Sequence, residues 1–409
     1  MSMRILFLTH YFQPEPNFFM GLPFAKELVR RGHQVQVLTG FPNYPGGKIY
    51  EGYKVNLFQK ENMDGIPVVR LPLYPSHDHS SFKRILCYST LSLSQSMIAP
   101  FVIKSADVAY VVQGPATLGL PATVLKWLRG IPFVYNIQDL WPDSLLSTEM
   151  FNSNLGLKML HGWCNFIYRR AAKIVVIAQG MKKKLIERGV PGDKIEVIYN
   201  WCDGQLICRE DRDENLARQL GFAGKFSVVF AGNMGKAQAL DAVIEAAGLL
   251  KSDFPNIQFV FIGSGVDVDK LKSVSQKKQL NNVLFLPRRP VSEIGPVLRL
   301  ADVLLVHLRK DPLFSITIPS KTQAYLAMGR PLLMAAEGDA SELVNRAQAG
   351  LSCEPENPRA IAAAVKQLYD MTPSQLQRLG ENGQSFYDRE LSFSVAVDRY
   401  EQLFKTVIK

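Results

Sequence analysis

Cysteine is scarce in this chain and follows no pattern. Five Cys (Cys87, Cys164, Cys202, Cys208 and Cys353) are spread over 409 residues with no CxxC spacing. That argues against a disulfide-stapled scaffold and against a Cys-ligated metal centre, and favours reduced thiols in a cytoplasmic protein. As read from the sequence, no apolar run approaches the roughly 20 residues that span a bilayer. The opening MSMRILFLTHYF has one Arg and no small-residue cleavage site, so it reads as a first strand and not as a signal peptide. There is no Walker GKS/T motif, no short-period repeat, no low-complexity segment, and no pair of facing carboxylates suited to glycoside hydrolysis.

What is present describes a core-forming chain. The hydrophobic fraction is 47% and the charged fraction 21%, an ordinary globular balance, and the length implies two or three domains. The formal net charge of +10 favours an anionic partner: a nucleotide, a phospholipid surface, a pyrophosphate-linked substrate or nucleic acid.

Apolar runs of strand length alternate with amphipathic helical stretches. MRILFLTHYF, GLPFAKELVRRGH and QVQVLTG form a βαβ unit, and PVVRLPLY, ADVAYVVQG, PFVYNIQD, KIVVIAQ and KIEVIYN continue the strands. The charged stretch after Asn200 lacks strand pattern, so a domain boundary falls near Gly204. KFSVVFAGN then restarts the alternation. The expected organisation is two Rossmann-like doubly wound α/β domains, residues 1–204 and 205–385, facing a cleft. Residues 386–409 form a C-terminal helix returning to the first domain. Phe82 to Lys104, weakly amphipathic and basic at both ends, admits two readings: a helix on a membrane surface, or a long core helix.

Four stretches carry polar chemistry at strand ends. Ala231-Gly232-Asn233-Met234-Gly235-Lys236 follows one strand and precedes a helix, where glycines let the backbone approach a phosphate and Lys236 adds charge. Met20-Gly21 is the matching turn in the first domain. Gly263-Ser264-Gly265 resembles the start of a dinucleotide fingerprint, but Val268 stands where the third Gly belongs. No ribose acid follows; Arg288 and Arg289 appear instead. That leaves an NADP oxidoreductase as a rival to simple close packing. Gln138-Asp139-Leu140-Trp141-Pro142 ends a parallel strand, with Gln138 and Asp139 placed to hydrogen-bond a substrate or, for Asp139, to cap a turn. Among the six His, His10 is the one at a plausible cleft position; His77 and His79 flank Asp78 in a polar loop.

The stretch DPLFSITIPSKTQAYLAMGRPLLM, from Asp311 to Met334, reads as loop, helix and strand. Pro319 and Ser320 open the helix; Gly329 and Pro331 stop it. Lys321 in the first turn opposes the helix dipole, a conflict that a bound anion between them would resolve.

Together these pieces resemble the GT-B glycosyltransferases. Within them the chain is similar to the retaining family 4, especially members that build O-antigen, colanic acid and other bacterial exopolysaccharides. The matching segments are THYFQPEPNFFMG, FAKELVRRGHQVQVLTG, IQDLWPDS, VVIAQGMKKKLIERGVPGDKIEVIYNWCD, AGNMGKAQALD and IPSKTQAYLAMGRP. The resemblance implies a UDP-sugar donor, UDP-glucose or an N-acetylated relative, held by the C-terminal domain. It implies a glycan or polyprenyl-diphosphate-linked acceptor at the N-terminal domain, and transfer with retention. It implies no metal; no cofactor and no nucleic acid are expected. The net charge of +10 and the segment Phe82 to Lys104, with Lys83, Arg84 and Lys104 flanking apolar residues, lead to the expectation of a cytoplasmic protein in peripheral contact with the inner face of the membrane. Carried over by position, Lys236 contacts the diphosphate and Gly21 approaches it. Asn233 stands where the family has Arg, and Gln238 where many members have Lys. The backbone at Arg288 holds the uracil, and the N–H groups at Ile316, Thr317 and Ile318 reach the sugar or β-phosphate. Gly235, Ser320, Lys321 and Gln323 complete the donor set. Lys236, Asp139 and Gln138 are the catalytic positions; His10, Asp139 and Trp141 take the acceptor. The family's paired acids would fall at Ile316 and Ala324, where both are missing, so Lys321 and Gln323 are the substitutes expected for ribose and sugar. Gln138 replaces the usual His. The two rival readings are the NADP oxidoreductase and a nucleotide-sugar-binding protein without activity.

Overall fold

The structure, a computed structural model, describes residues 2–16, 20–76, 81–146, 154–207 and 211–408. Cys208, the His77–His79 loop and part of the connection before Met20 lie outside them. The chain divides into two compact units, Met1–Tyr199 with Ala396–Lys409, and Asn200–Val395.

The first unit runs β1 (Arg4–Leu8), α1 (Leu22–Arg30), β2 (Gln34–Gly40), β3 (Gln59–Met63), β4 (Ile66–Leu71), α2 (Ser81–Val102), β5 (Val108–Gln113) and α3 (Gly119–Arg129). It continues through β6 (Phe133–Ile137), α4 (Asp143–Leu146), α5 (Asn154–Arg170), β7 (Lys173–Val176), α6 (Gln179–Glu187) and β8 (Ile195–Val197). Its sheet has the order β3-β4-β2-β1-β5-β6-β7-β8. Every residue of β5 is buried, as expected of a parallel strand covered on both faces.

The second unit runs α7 (Glu214–Gln219), β9 (Phe226–Asn233), α8 (Asp241–Leu250), β10 (Ile257–Ser264), α9 (Val268–Lys277), β11 (Val283–Leu286), α10 (Val291–Leu298) and β12 (Val303–His307). Then come α11 (Pro312–Ser315), α12 (Ser320–Ala327), β13 (Leu332–Ala335), α13 (Asp339–Ala347), β14 (Gly350–Cys353), α14 (Pro358–Tyr369) and α15 (Pro373–Phe386). Its six strands are all parallel in the order β11-β10-β9-β12-β13-β14. The final helix, α16 (Phe393–Val407), begins in this unit and ends in the first.

Four sequence expectations need correction. The first sheet is mixed, because β3 pairs antiparallel with β4. Its sequence QKENM shows no apolar alternation; Glu61 on β3 instead pairs with the fully buried Arg70 guanidinium of β4. The units part at Tyr199 and Asn200 rather than Gly204, and the chain returns at Ala396 rather than residue 386. The reason is packing: the Cys202 thiol bonds to the Tyr387 hydroxyl, and Trp201 lies 5.1 Å from Phe393 between ring centroids. The helices α3 and α5 are elements that the sequence pattern does not assign. Finally, one helical stretch among the described residues, Lys83–Val102, is long and apolar enough by length and composition to cross a bilayer; scattered Ser and Gln hid it as a run.

Candidate active site

In an open parallel sheet, ligands bind beyond the carboxyl ends of the strands where the winding reverses. In the second unit that point lies between β9 and β12. The two strands pair only at Val228 with Val303 and Val229 with Leu304, and no pairing continues beyond Val229. The tip of β9 is therefore left without a neighbour on one side. α12 supplies it: the Ala231 N–H donates to the Tyr325 hydroxyl at 2.9 Å, and that hydroxyl donates to the Ala231 carbonyl at 3.2 Å.

The turn after β9 is held from below. His307, at the end of β12, accepts the Glu356 N–H at Nε2, 3.1 Å. Its Nδ1 is consequently the protonated nitrogen, and it donates to the Gln238 carbonyl at 2.7 Å. Burial keeps this imidazole neutral, its pKa lowered. The Arg309 N–H also donates to the Ala237 carbonyl, at 3.0 Å. Lys236 opens the short 3₁₀ turn Lys236–Gln238 and is exposed, while Gly235 beside it is buried. Gln238 uses its side-chain oxygen to accept the Gly235 N–H at 3.1 Å. It caps the turn and adds no charge.

Lys321 is the unusual group. Its Nζ is shut off from solvent and has no hydrogen-bond partner among the described residues. It lies 3.6 Å from the centroid of the Phe230 ring and 3.3 Å from where a Cβ on Gly232 would stand. Burial without a counter-charge pushes its pKa down to about 7. The amine thus sits directly beneath the glycine turn, at the first turn of α12.

The other second-unit positions divide. Asn233 ends β9, exposed. Arg288 is exposed past the end of β11, two strands along the same edge. Ser320 is the exposed first residue of α12. The Ile316 and Thr317 N–H groups are taken by the carbonyls of Leu313 and Phe314 at 3.3 Å each, which leaves Ile318 as the one of the three whose N–H has no partner among the described residues. Gln323 is buried; oriented to satisfy its amide, its nitrogen donates to the Pro319 and Ser320 carbonyls at 3.0 Å. That amide caps its own helix and is not presented to a ligand, against the expectation that it replaces a missing acid. The glycines Gly263 and Gly265 are packing residues. At φ +145° and +154°, a Cβ on Gly263 would come within 2.0 Å of the Gly232 carbonyl, and one on Gly265 within 2.2 Å of Met234 backbone. The segment that suggested a dinucleotide fingerprint is therefore the wall against which the Gly232–Gly235 turn rests.

In the first unit the winding reverses between β1 and β5. His10, just past β1, is buried and held neutral, its pKa lowered to about 3 by burial. Tyr11 and Tyr88 pack edge-on to its ring at 4.4 and 5.1 Å, and Nε2 lies 3.8 Å from the Cys87 thiol. Such an imidazole is walled in and a poor proton acceptor near neutrality. Gln138 donates to the Asn136 amide oxygen at 2.6 Å, and Asn136 in turn donates to the Tyr400 hydroxyl of α16. Asp139 has an exposed side chain, its carbonyl accepting from Gln113 at 3.0 Å. Trp141 is half-buried, with its carbonyl held by Arg188 at 3.1 Å. Gly21 is the N-cap of α1, but the adjacent Leu22 N–H is already taken by Gln13 at 2.8 Å.

Residues 22–201 match the family model described as "Glycosyl transferase 4-like domain", and residues 211–386 match "Glycosyl transferases group 1". This chain is a family 4-like glycosyltransferase of the GT-B fold. Among curated proteins the glycosyltransferase is 28% identical to the putative colanic acid biosynthesis glycosyl transferase WcaI of Escherichia coli, covering 83% of this chain and 85% of that one. It is 25% identical to the probable glycosyltransferase WbjE of Pseudomonas aeruginosa, covering 80% and 84%. Anabaena HepE, solved with UDP and glucose, superposes with a TM-score of 0.69 at 19% identity over 99% of this chain and all of that one. Sucrose-phosphate synthase from Thermosynechococcus elongatus gives 0.71 at 15% identity.

For this glycosyltransferase, sequence reasoning missed His307, Tyr325 and Phe230. His307 had a signal, since it is a polar residue ending a buried strand, the same cue that singled out His10. Tyr325 and Phe230 had none, because an aromatic at helical or strand spacing reads as core.

Proposed function

We propose that this glycosyltransferase takes a UDP-linked hexose and transfers it, with retention, to a glycan or polyprenyl-diphosphate-linked acceptor in the building of a cell-surface polysaccharide. The observation that carries the reading is the convergence at the β9–β12 switch point of a glycine turn, an exposed Lys236 and a buried, unpartnered Lys321. Two cations, the free N–H of Ile318 and the N-terminus of α12 face a place where the family holds a nucleotide sugar. WcaI and WbjE support the polysaccharide context, and the UDP bound by HepE supports the choice of nucleotide.

Chemistry in this reading is electrostatic. As the glycosidic bond to the β-phosphate lengthens, negative charge grows on the diphosphate. Lys236 meets it from the solvent side, and Lys321, shut off from water, from below the turn. The departing phosphate oxygen accepts the acceptor's hydroxyl proton, so no separate base is required. Asp139 and Gln138 hold the acceptor side, with Trp141 beside them. No metal is invoked, and the two lysines supply the countercharge a cation otherwise would.

The test is thermal stabilisation by a panel of nucleotides and nucleotide sugars, followed by transfer to a lipid-linked acceptor. Saturating UDP, at about 100-fold over its dissociation constant, stabilises by about 2.7 kcal/mol, or roughly 5–10 °C for a unit of this size. NADP gives none, because Gly263 and Gly265 are occupied by packing. Stabilisation by NADP but not by UDP overturns the reading. UDP binding without hydrolysis or transfer identifies a non-catalytic binder.

A further inference from the structure

Three neighbouring strands of the first sheet, β1, β5 and β6, are crossed by a line of buried polar groups. On β6, Asn136 is fully buried between Tyr135 and Ile137. An amide in such a place costs stability unless both of its ends are bonded. Here both are. Its Nδ2 donates to the Tyr400 hydroxyl of α16, and its Oδ1 accepts from Gln138 Nε2 at 2.6 Å.

Tyr400 is fully buried as well. Its ring lies 5.2 Å from those of Phe24 on α1 and Tyr110 on β5, and 6.0 Å from that of Phe404. Tyr110 points to the same face of the sheet as Asn136, because it lies two residues before Val112, the strand partner of Asn136. The side chains of Tyr110 and Tyr400 are hydrogen-bonded to each other. The Tyr110 hydroxyl also donates to the Met20 sulfur at 2.7 Å. The line therefore begins at Met20, beside Gly21 at the head of α1, and ends at Gln138, just past β6.

The line has one polarity. A thioether accepts hydrogen bonds and never donates, and a phenol has a single proton. Tyr110 gives its proton to Met20, so it meets Tyr400 with a lone pair and Tyr400 supplies the proton between them. Tyr400 then meets Asn136 with a lone pair, which takes the amide N–H. Asn136 is left with its oxygen towards Gln138, and Gln138 turns its NH2 inward. Reversing the line would set the Tyr110 oxygen against the sulfur with no proton between them. The atom that Gln138 keeps for a ligand is thus its oxygen, which has two lone pairs to offer.

We propose that Tyr400, from the C-terminal helix, is a positioning residue for the transfer. Through Asn136 it fixes the amide of Gln138 so that the Gln138 oxygen takes a hydrogen bond from a hydroxyl of the acceptor sugar. Packing alone does not ask for the Asn136–Tyr400 pair. A valine at 136 and a phenylalanine at 400 would fill much the same space and leave no polar group to satisfy. What the pair adds is a fixed orientation for the next polar group along the line. Tyr400 touches no substrate and acts through Asn136. The inference rests on the proposed transfer, with Gln138 on its acceptor side.

The experiment measures UDP release by the full chain from the UDP-hexose that gives the largest thermal shift. The acceptors are octyl glycosides of glucose, galactose and N-acetylglucosamine, and their monodeoxy derivatives. Tyr400→Phe should lower kcat/KM for the best glycoside about tenfold, the size of one hydrogen bond. Its circular dichroism and UDP-induced thermal shift should match the wild type. One monodeoxy glycoside should cost the wild type a similar factor. It should cost Tyr400→Phe and Gln138→Met little more, because the contact is already lost. Asn136→Val combined with Tyr400→Phe leaves no buried polar group unpaired, so it should regain the wild-type melting temperature without regaining the acceptor kinetics. Unchanged kinetics in Tyr400→Phe overturn the proposal, as does recovery of kcat/KM in the double variant. So do losses that multiply for every monodeoxy glycoside, or a wild type indifferent to all of them. A wild type that binds UDP but whose UDP release no glycoside accelerates overturns the proposed transfer itself, and this inference with it.

Discussion

The Lys321 amine lies 3.6 Å from the centroid of the Phe230 ring, buried and without a hydrogen-bond acceptor among the described residues. Its charged form is favoured only by the ring's negative face, which does not replace lost hydration. In the absence of an anion the amine is therefore poised to titrate near neutrality.

That poise sets a pH signature. Lowering the pKa from 10.5 to about 7 costs the folded state up to roughly 4–5 kcal/mol of charge burial. The penalty is absent above pH 10.5, where the amine is neutral folded or unfolded. It grows as pH falls and is complete below about 7. Lys321→Met should therefore be more stable than the wild type at pH 7, with the difference vanishing towards pH 10.5. A bound diphosphate restores the charge, so UDP binding at pH 8 should take up a proton. Calorimetry in two buffers of different ionisation enthalpy measures this. No proton uptake, or a Lys321→Met variant with wild-type UDP affinity, removes the residue from the site.

Lys236 is exposed at the head of the 236–238 turn, so its removal should leave the fold intact. A charged hydrogen bond to phosphate contributes about 1.5–3 kcal/mol. Lys236→Ala should weaken UDP about 10- to 100-fold and depress kcat further, because the contact strengthens as charge develops. Unchanged UDP affinity by calorimetry would rule out the role.

Gly263 tests whether its segment packs or binds. A Cβ there would stand 2.0 Å from the Gly232 carbonyl at φ +145°. Gly263→Ala should cost at least about 2 kcal/mol from backbone strain and clash, lowering the melting temperature by roughly 4–8 °C. It should also weaken UDP, since the wall behind the phosphate turn moves. A variant with wild-type melting and UDP affinity would contradict the packing account.

His10, neutral with its pKa lowered to about 3, predicts acid lability. The unfolded chain binds the proton near pH 6.5 and the folded chain does not, so stability falls as pH drops from 6.5 towards 3. His10→Gln should flatten that fall in denaturant midpoints measured across the range. The same geometry predicts no limb in the transfer-rate profile between pH 6 and 7 that His10→Gln removes.

The order of elements was legible in the sequence because strands buried on both faces read as apolar runs, and helices covering them as periodic ones. QVQVLTG matches β2 residue for residue. The Gly232–Lys236 turn and the Pro319–Lys321 helix start were legible too, since glycine, proline and lysine at strand and helix ends are local signals. Other features had no local signature. β3 forms because Glu61 meets a buried arginine across the hairpin, and α3 went unread because its PATVLKWL run has no polar stripe. Gln323 reads as a ligand from its place in the chain, but its amide turns inward to its own helix.

From its residues alone this protein's alternation of strand and helix, its family and the place of its glycine turn were determined, because each rests on neighbours in the chain. Tertiary structure decided the rest. Where β9 and β12 part and which aromatic ring faces Lys321 depend on residues far apart in sequence. A lysine's pKa is a sum over such neighbours, and only the folded chain brings them together.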